Sequence, residues 1–383
     1  MDTKEIMERE KKFLMQTYSR QIVMDHGKGC YVFDKGGKKY IDLVGGIATC
    51  ILGHGNEEFA NAVKEQVSKI TNPTNLYYTE QQVVLAEKLA KLSGLNKCFF
   101  SNSGAESVEA ALKLVRKHTK KTGVISTKQA FHGRTFGSLA ATWKDKIKDP
   151  FKPMMEGFRH VDYNDHQAVE NAIDNNTGAV IIEPIQGEAG IIIPDDNYLK
   201  NIRGICDKHN ILMIVDEVQT GCGRTGKFFA SEGIKPDIIT LAKGLGNGIP
   251  IGATIASEEV AASFEKSDHG STFGGNPVSC AAANFTVDYI ISNNLMENAA
   301  EQGKYLMDKI KSLNSLLVKE VRGKGLMIGV ELNDKNDEII QNCVEKGLLI
   351  NPVTDKVLRF LPPLTISKEI IDESMEILTE VLK

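Results

Sequence analysis

From about residue 57 onward, stretches with the 3.6-residue period of helices alternate with short apolar runs. The runs are Lys97 to Ser101, Gly123 to Ser126, Ala179 to Glu183, Ile211 to Asp216, Ile238 to Leu241 and Gly252 to Ala256. A run of four to six apolar residues between helices reads as a strand covered on both faces. Repeated alternation of this kind predicts an α/β fold with a mostly parallel central sheet flanked by helices.

Two flanking regions break the pattern. Residues 30 to 43 read as a hairpin about Gly36-Gly37. Beyond about 285 comes one long helix, roughly 287 to 313, then strands at Val321 to Leu332 and Val357 to Leu361, and a closing helix from 367. The expected division is therefore 1–55 as an N-terminal segment, 56–284 as the large domain and 285–383 as the rest of a smaller α+β domain built from both termini. No internal repeat or low-complexity linker interrupts the chain.

The 383 residues carry a formal net charge of −4, which offers no electrostatic attraction for nucleic acid or an anionic membrane. A small-molecule enzyme fits better. The seven cysteines (30, 50, 98, 206, 222, 280 and 343) are scattered without a C-x-x-C pair, a pattern of neither a disulfide framework nor a zinc site. The charged N-terminus lacks the apolar core of a signal peptide, and no apolar run approaches the ~18 residues of a membrane span. The expectation is a soluble, cytoplasmic protein.

Two short stretches carry the chemistry. In Ile214-Val215-Asp216-Glu217-Val218-Gln219, a buried strand ends abruptly in an acid. In Ala242-Lys243-Gly244-Leu245-Gly246, one lysine stands among small uncharged residues. Desolvation there lowers the lysine pKa and leaves a neutral amine able to form a Schiff base with an aldehyde.

A third element is Ser101-Asn102-Ser103-Gly104-Ala105-Glu106, a strand running into a helix. Ser103 and Glu106 have capping-box spacing. The free N–H groups at such a helix start, beside a glycine, attract an anion, although a plain cap is the commoner meaning. Gly221 to Lys227 matches G-x-x-x-x-G-K, yet Phe228 stands where a P-loop needs a hydroxyl for magnesium, and no long helix follows before Gly233 and Pro236. His132 has no second ligand at metal spacing, so no metal is expected.

Together with Phe131-His132-Gly133-Arg134-Thr135, Glu183-Pro184-Ile185-Gln186-Gly187-Glu188, Gly270-Ser271-Thr272-Phe273-Gly274-Gly275-Asn276-Pro277 and Leu358-Arg359-Phe360-Leu361-Pro362-Pro363, these blocks resemble the class III aminotransferases, pyridoxal 5′-phosphate (PLP) enzymes of fold type I. The resemblance runs over essentially the whole chain. It implies that Lys243 binds PLP covalently and later moves the substrate proton, and that Asp216 pairs with the pyridine nitrogen. It also implies that Val218 and Phe131 pack on the ring, that Gln219 reaches O3′, and that Ser103, Gly104 and Ala105 hold the phosphate. Arg134 would bind the donor α-carboxylate, and Arg359 the α-carboxylate of glutamate or 2-oxoglutarate, paired with Glu188 between half-reactions. Glu183 would help position the donor, and Tyr18 would approach its carboxylate. Thr272 and Ser271 would cross to the partner subunit's site, making a homodimer with shared active sites.

The implied reaction is transfer of the terminal amino group of N2-acetyl-L-ornithine to 2-oxoglutarate, in arginine biosynthesis. Related ω-amino donors (a blocked lysine, succinyl-diaminopimelate, ornithine, 4-aminobutyrate) remain alternatives, as does a PLP aminomutase or decarboxylase. Ile47, where ornithine-specific relatives place a tyrosine, disfavours free ornithine.

Overall fold

Asp34 accepts from the backbone N–H groups of Gly36 and Lys38, both at 2.9 Å, and this closes the first hairpin. The computed structural model describes residues 1–383. β1 (Met24–Lys28), β2 (Tyr31–Asp34) and β3 (Lys39–Asp42) run antiparallel in succession.

The central sheet contains β4 (Lys97–Ser101), β5 (Gly123–Thr127), β6 (Phe158–Val161), β7 (Thr177–Ile182), β8 (Leu212–Asp216), β9 (Ile238–Leu241) and β10 (Gly252–Ala256). Its order is β4-β10-β9-β8-β7-β5-β6, parallel except for β10, which is antiparallel to both neighbours. The predicted runs thus appear as strands, and β6 joins them. β6 escaped the sequence reading because Phe-Arg-His-Val is half polar and only partly buried.

The two-residue side-chain period explains why β7 and β8 are apolar throughout. Ala179, Ile181, Leu212 and Ile214 pack on Val108, Leu112 and Val115 of the helix Gly104–Thr119. Val180, Ile182, Met213 and Val215 face the other way, onto Tyr198, Ile202 and Cys206 of the helix Tyr198–His209. Burying each of these larger aliphatic side chains contributes about 1.5–3 kcal/mol.

Because β4, β5, β7, β8 and β9 share one direction, their carboxyl ends meet at one edge, where α/β sheets bind ligands.

The C-terminal third differs from expectation in several places: the helix Asp337–Glu345 and the strands Leu348–Leu349 and Asn351–Thr354 are additional. The single helix expected over 287–313 is two, Pro277–Ser292 and Leu295–Ser312. Asn276 caps the first with Pro277 at its opening turn, and Asn294, at φ +52°, starts the second from a left-handed conformation that asparagine tolerates. β11 (Val318–Lys324), β12 (Met327–Leu332), β14 (Asn351–Thr354) and β15 (Val357–Phe360) form a sheet in the order β11-β12-β15-β14. The short β13 (Leu348–Leu349) pairs in parallel with β3, so both ends of the chain share a sheet. The chain closes with the helix Lys368–Val381. No helix is long and apolar enough to cross a membrane.

Candidate active site

β8 and β9 are adjacent and parallel, so the residues that end them emerge side by side. Asp216, 4% exposed, accepts from Thr240 Oγ1 of β9 at 2.9 Å and from the Val218 N–H at 3.2 Å. Its Oδ2 lies 2.7 Å from Nδ1 of His132. Lys243 follows β9 after one residue and starts a tight turn at φ +45°, a strained conformation for a residue with a side chain. Burial pushes its pKa down to about 8; the Glu188 charge opposes this and Arg359 adds to it.

Glu183, at the end of β7, is pushed up to about 8 by burial, against the nearby His132 charge and with help from Asp216. Its Oε2 accepts from the Phe131 N–H at 3.2 Å. Burial alone would lower the pKa of His132, but the hydrogen bond and charge of Asp216 outweigh it, and the net direction is up. These carboxyl, imidazole and amine groups line one cavity of about 410 Å³.

Further groups of the same cavity come from the start of the helix Gly104–Thr119. Ser103 caps it, its Oγ accepting from the Glu106 N–H at 3.2 Å. The reciprocal half of the capping box is shifted by one residue: the Glu106 carboxylate accepts from both the backbone N–H and the side-chain amide of Asn102. Ser103, Gly104 and Ala105 therefore face the cavity with a fixed helix start. A Cβ on Gly104 would lie 2.8 Å from Val218 Cγ1, so the glycine brings the helix start against the residue that follows Asp216-Glu217.

Arg359, on β15, is 1% exposed. Its Nη1 donates to Glu188 and to Gln219 Oε1, the latter at 3.1 Å. On its other side Nε and Nη2 both reach Asn351 Oδ1, at 3.2 and 2.5 Å. The Arg359 and Lys243 charges overcome burial and hold Glu188 below the usual carboxylate range. Asn351 escaped the sequence reading. It stands directly opposite Arg359 in the β14–β15 ladder, a register no local motif reveals.

Arg134 is exposed, with its guanidinium 5.8 Å from the centroid of the Phe131 ring. It lines a second cavity, of about 750 Å³, together with Phe131 and Glu188. Glu109 was also missed: its Oε1 accepts from the N–H groups of Gly137 and Ser138, both at 2.9 Å, and so fixes the chain just beyond Arg134.

Arg359 itself lines neither cavity but is tied to Glu188 and Gln219, each of which lines one; three other expected residues lie apart. Tyr18 is 65% exposed and lines neither cavity. Ser271 Oγ accepts from the Asn102 side-chain amide at 3.0 Å, and the Thr272 carbonyl from Asn72 at 3.1 Å, but neither residue lines either cavity of its own chain.

Comparison with known proteins agrees with this arrangement. The family described as "Aminotransferase class-III" matches residues 14–382. The chain is 46% identical over 387 residues to an acetylornithine aminotransferase of Methanothermobacter thermautotrophicus, covering 100% of this chain and 99% of that protein. It is 48% identical over 390 residues to an acetylornithine aminotransferase of Methanopyrus kandleri, covering 100% and 99%. Among solved structures, the ornithine aminotransferase of Toxoplasma gondii crystallized with oxidized glutathione, which has PLP at partial occupancy in its active site, superposes with a TM-score of 0.95 at 30% identity, over 99% of this chain and 94% of that one. A lysine, an aspartate and a capped helix start gathered at the carboxyl edge of such a sheet, in a chain matched along nearly its full length, make this protein a member of the class III aminotransferases.

Proposed function

We propose that the chain transfers the terminal amino group of N2-acetyl-L-ornithine to 2-oxoglutarate on PLP, giving N-acetyl-L-glutamate 5-semialdehyde and L-glutamate. The observation that carries the reading is the buried Arg359 masked by Glu188 beside Lys243. A transaminase must accept two substrates in turn, and only one of them brings an α-carboxylate to this position. Relatives sharing 46% and 48% of their residues and acting on acetylornithine support the choice of donor.

The residues fit the cofactor. The helix start at Ser103-Gly104-Ala105 suits a phosphate, Asp216 suits a protonated pyridine nitrogen, and a lysine with pKa about 8 suits an aldehyde. When bound, PLP supplies an electron sink for the carbon that loses its proton.

The protein's own groups do the rest. Lys243 Nζ, buried and lowered in pKa, would hold the cofactor through its aldehyde and would be the group that takes up and returns the substrate proton. Asp216, kept in place by His132 and Thr240, stabilises positive charge at the ring nitrogen. Val218 and Phe131, which line the cavity, would hold the ring, and Gln219 would lie toward its hydroxyl. In the donor half-reaction Glu188 stays on Arg359, while Arg134 takes the donor α-carboxylate by a planar two-point contact that lysine lacks. Glu183 would position the donor against the ring, and Tyr18, which lines neither cavity of its own chain, is assigned to the donor by the resemblance alone. In the second half-reaction the α-carboxylate of 2-oxoglutarate displaces Glu188 from Arg359.

A homodimer completes the site in this reading, with Thr272 on the partner's cofactor phosphate and Ser271 near the partner's donor. Supporting it, Leu76, Tyr77, Tyr78 and Phe273 are all exposed, Tyr78 fully, on segments joined by the Asn72–Thr272 contact. Such a surface is covered in a stable assembly. Residues 1–55 and 285–383 are assigned to one smaller domain, supported by the β3–β13 pairing. The enzyme is placed in the cytoplasm, in arginine biosynthesis.

The deciding experiment ranks amino donors with 2-oxoglutarate by kcat/KM. N-acetylornithine should lead, and a clear lead for ornithine or 4-aminobutyrate would overturn the assignment.

A further inference from the structure

The Gly221–Lys227 segment folds as a series of turns and buries an arginine. Arg224 is 0% exposed, and burial pushes its pKa down to about 9 with no carboxylate beside it to oppose the shift. Its Nε and Nη2 have no partner. A buried guanidinium without a counter-charge is destabilising, so its one engaged nitrogen calls for a reason.

That nitrogen, Nη1, donates to the Leu326 carbonyl at 3.1 Å and to the Pro362 carbonyl at 2.5 Å. The Arg224 carbonyl in turn accepts from the Leu326 N–H at 3.0 Å. Leu326 immediately precedes β12, and Pro362 lies two residues past β15. In the β12–β15 ladder Ile328 faces Phe360 and Gly329 faces Arg359, so Leu326 and Pro362 fall opposite each other where that register runs on. One guanidinium nitrogen therefore spans the end of the strand pair that presents Arg359. The contact is close: a Cβ on Gly325, at φ +55°, would meet the Thr225 carbonyl carbon at 2.5 Å and the Arg224 oxygen at 2.6 Å. Five residues earlier, the same loop supplies Gln219, which accepts from Arg359 itself at 3.1 Å.

We infer that Arg224 is a positioning residue for Arg359: it pins the end of the β12–β15 ladder to the loop that leaves Asp216, and so sets where the Arg359 guanidinium meets a carboxylate. The inference rests on the role of Arg359 proposed above. A loosened ladder would misplace Arg359 but leave Arg134, on a loop after β5, where it is.

The test compares Arg224→Met and Arg224→Lys holoenzymes with the parent. KM for 2-oxoglutarate should rise about tenfold in Arg224→Met, as a misplacement of under an ångström would produce, while KM for the amino donor stays within about twofold. Arg224→Lys, which keeps one nitrogen donor, should fall between. Equal rises in both KM values, or a lower Tm with neither changed, would overturn the inference. If Arg224→Met is insoluble, Gly325→Ala keeps the arginine but forces the hairpin turn away from the Arg224–Thr225 backbone; the same split is expected, and its absence overturns the inference. Arg359→Ala is the control. If it shows no split, the role of Arg359 itself fails; a split in Arg359→Ala without one in Arg224→Met removes only the role of Arg224.

Discussion

His132 Nδ1 lies 2.7 Å from Asp216 Oδ2, and both side chains are buried. The imidazole holds the carboxylate in a direction that Thr240 and the Val218 N–H also favour. Replacing His132 with Leu leaves one carboxylate oxygen without its strongest partner, which costs about 1.5–3 kcal/mol for a hydrogen bond to a charged group. Both half-reactions should slow by about tenfold or more, because in the proposed mechanism Asp216 serves both. Stopped-flow measurement of each half-reaction checks this, and slowing of only one would contradict it.

Lys243→Ala should abolish transamination and leave any PLP removable by dialysis. The visible absorption of the covalently held cofactor should vanish as well. An unchanged spectrum would remove Lys243 from its role.

With a pKa of about 8, the Lys243 amine in cofactor-free enzyme is mostly protonated below that pH and mostly neutral above it. The neutral amine is the nucleophile, so the rate of PLP uptake should rise with pH through about 8 and then level off. A rate still climbing toward the ordinary lysine value would show that burial does not shift this group.

If Arg359 takes the incoming carboxylate as proposed, Arg359→Ala should lower kcat/KM for 2-oxoglutarate on the order of a hundredfold, with a smaller effect on the amino donor. Glu188→Gln acts in the opposite sense: the competitor for Arg359 is weakened, so KM for 2-oxoglutarate should fall several-fold. Initial rates over a 2-oxoglutarate series separate these outcomes, and a raised KM in Glu188→Gln would contradict the masking role.

Tyr78→Arg places a charge on a side chain that is fully exposed in the single chain. In the dimer reading this separates the subunits and removes activity with them, which sedimentation and assay together would register. A fully active monomer would contradict the shared site.

Periodicity was enough to foresee the central strands, because β7 and β8 are buried on both faces and leave continuous apolar runs. β6 and the break at Asn293-Asn294 left no such mark: one strand is half polar, and the other feature depends on a single left-handed residue. Asp216 and Lys243 stood out because an acid at the end of an apolar strand and a lysine among glycines are locally unusual. Phe131, Arg134, Glu183 and Arg359 entered only through resemblance, since each taken alone reads as an ordinary core or surface residue.

The order of strands and helices, the desolvated lysine and the strand-end acid were determined by the sequence itself, through patterns a few residues long. The tertiary structure decided that His132 stands behind Asp216, that Asn351 and Glu188 flank Arg359, and that Arg224 spans the end of the β12–β15 ladder. Each of those contacts joins residues 84 to 171 positions apart, or in the case of Asn351 crosses between paired strands. Sheet register and the close approach of loops set such distances, and neither is written in any local stretch of the chain.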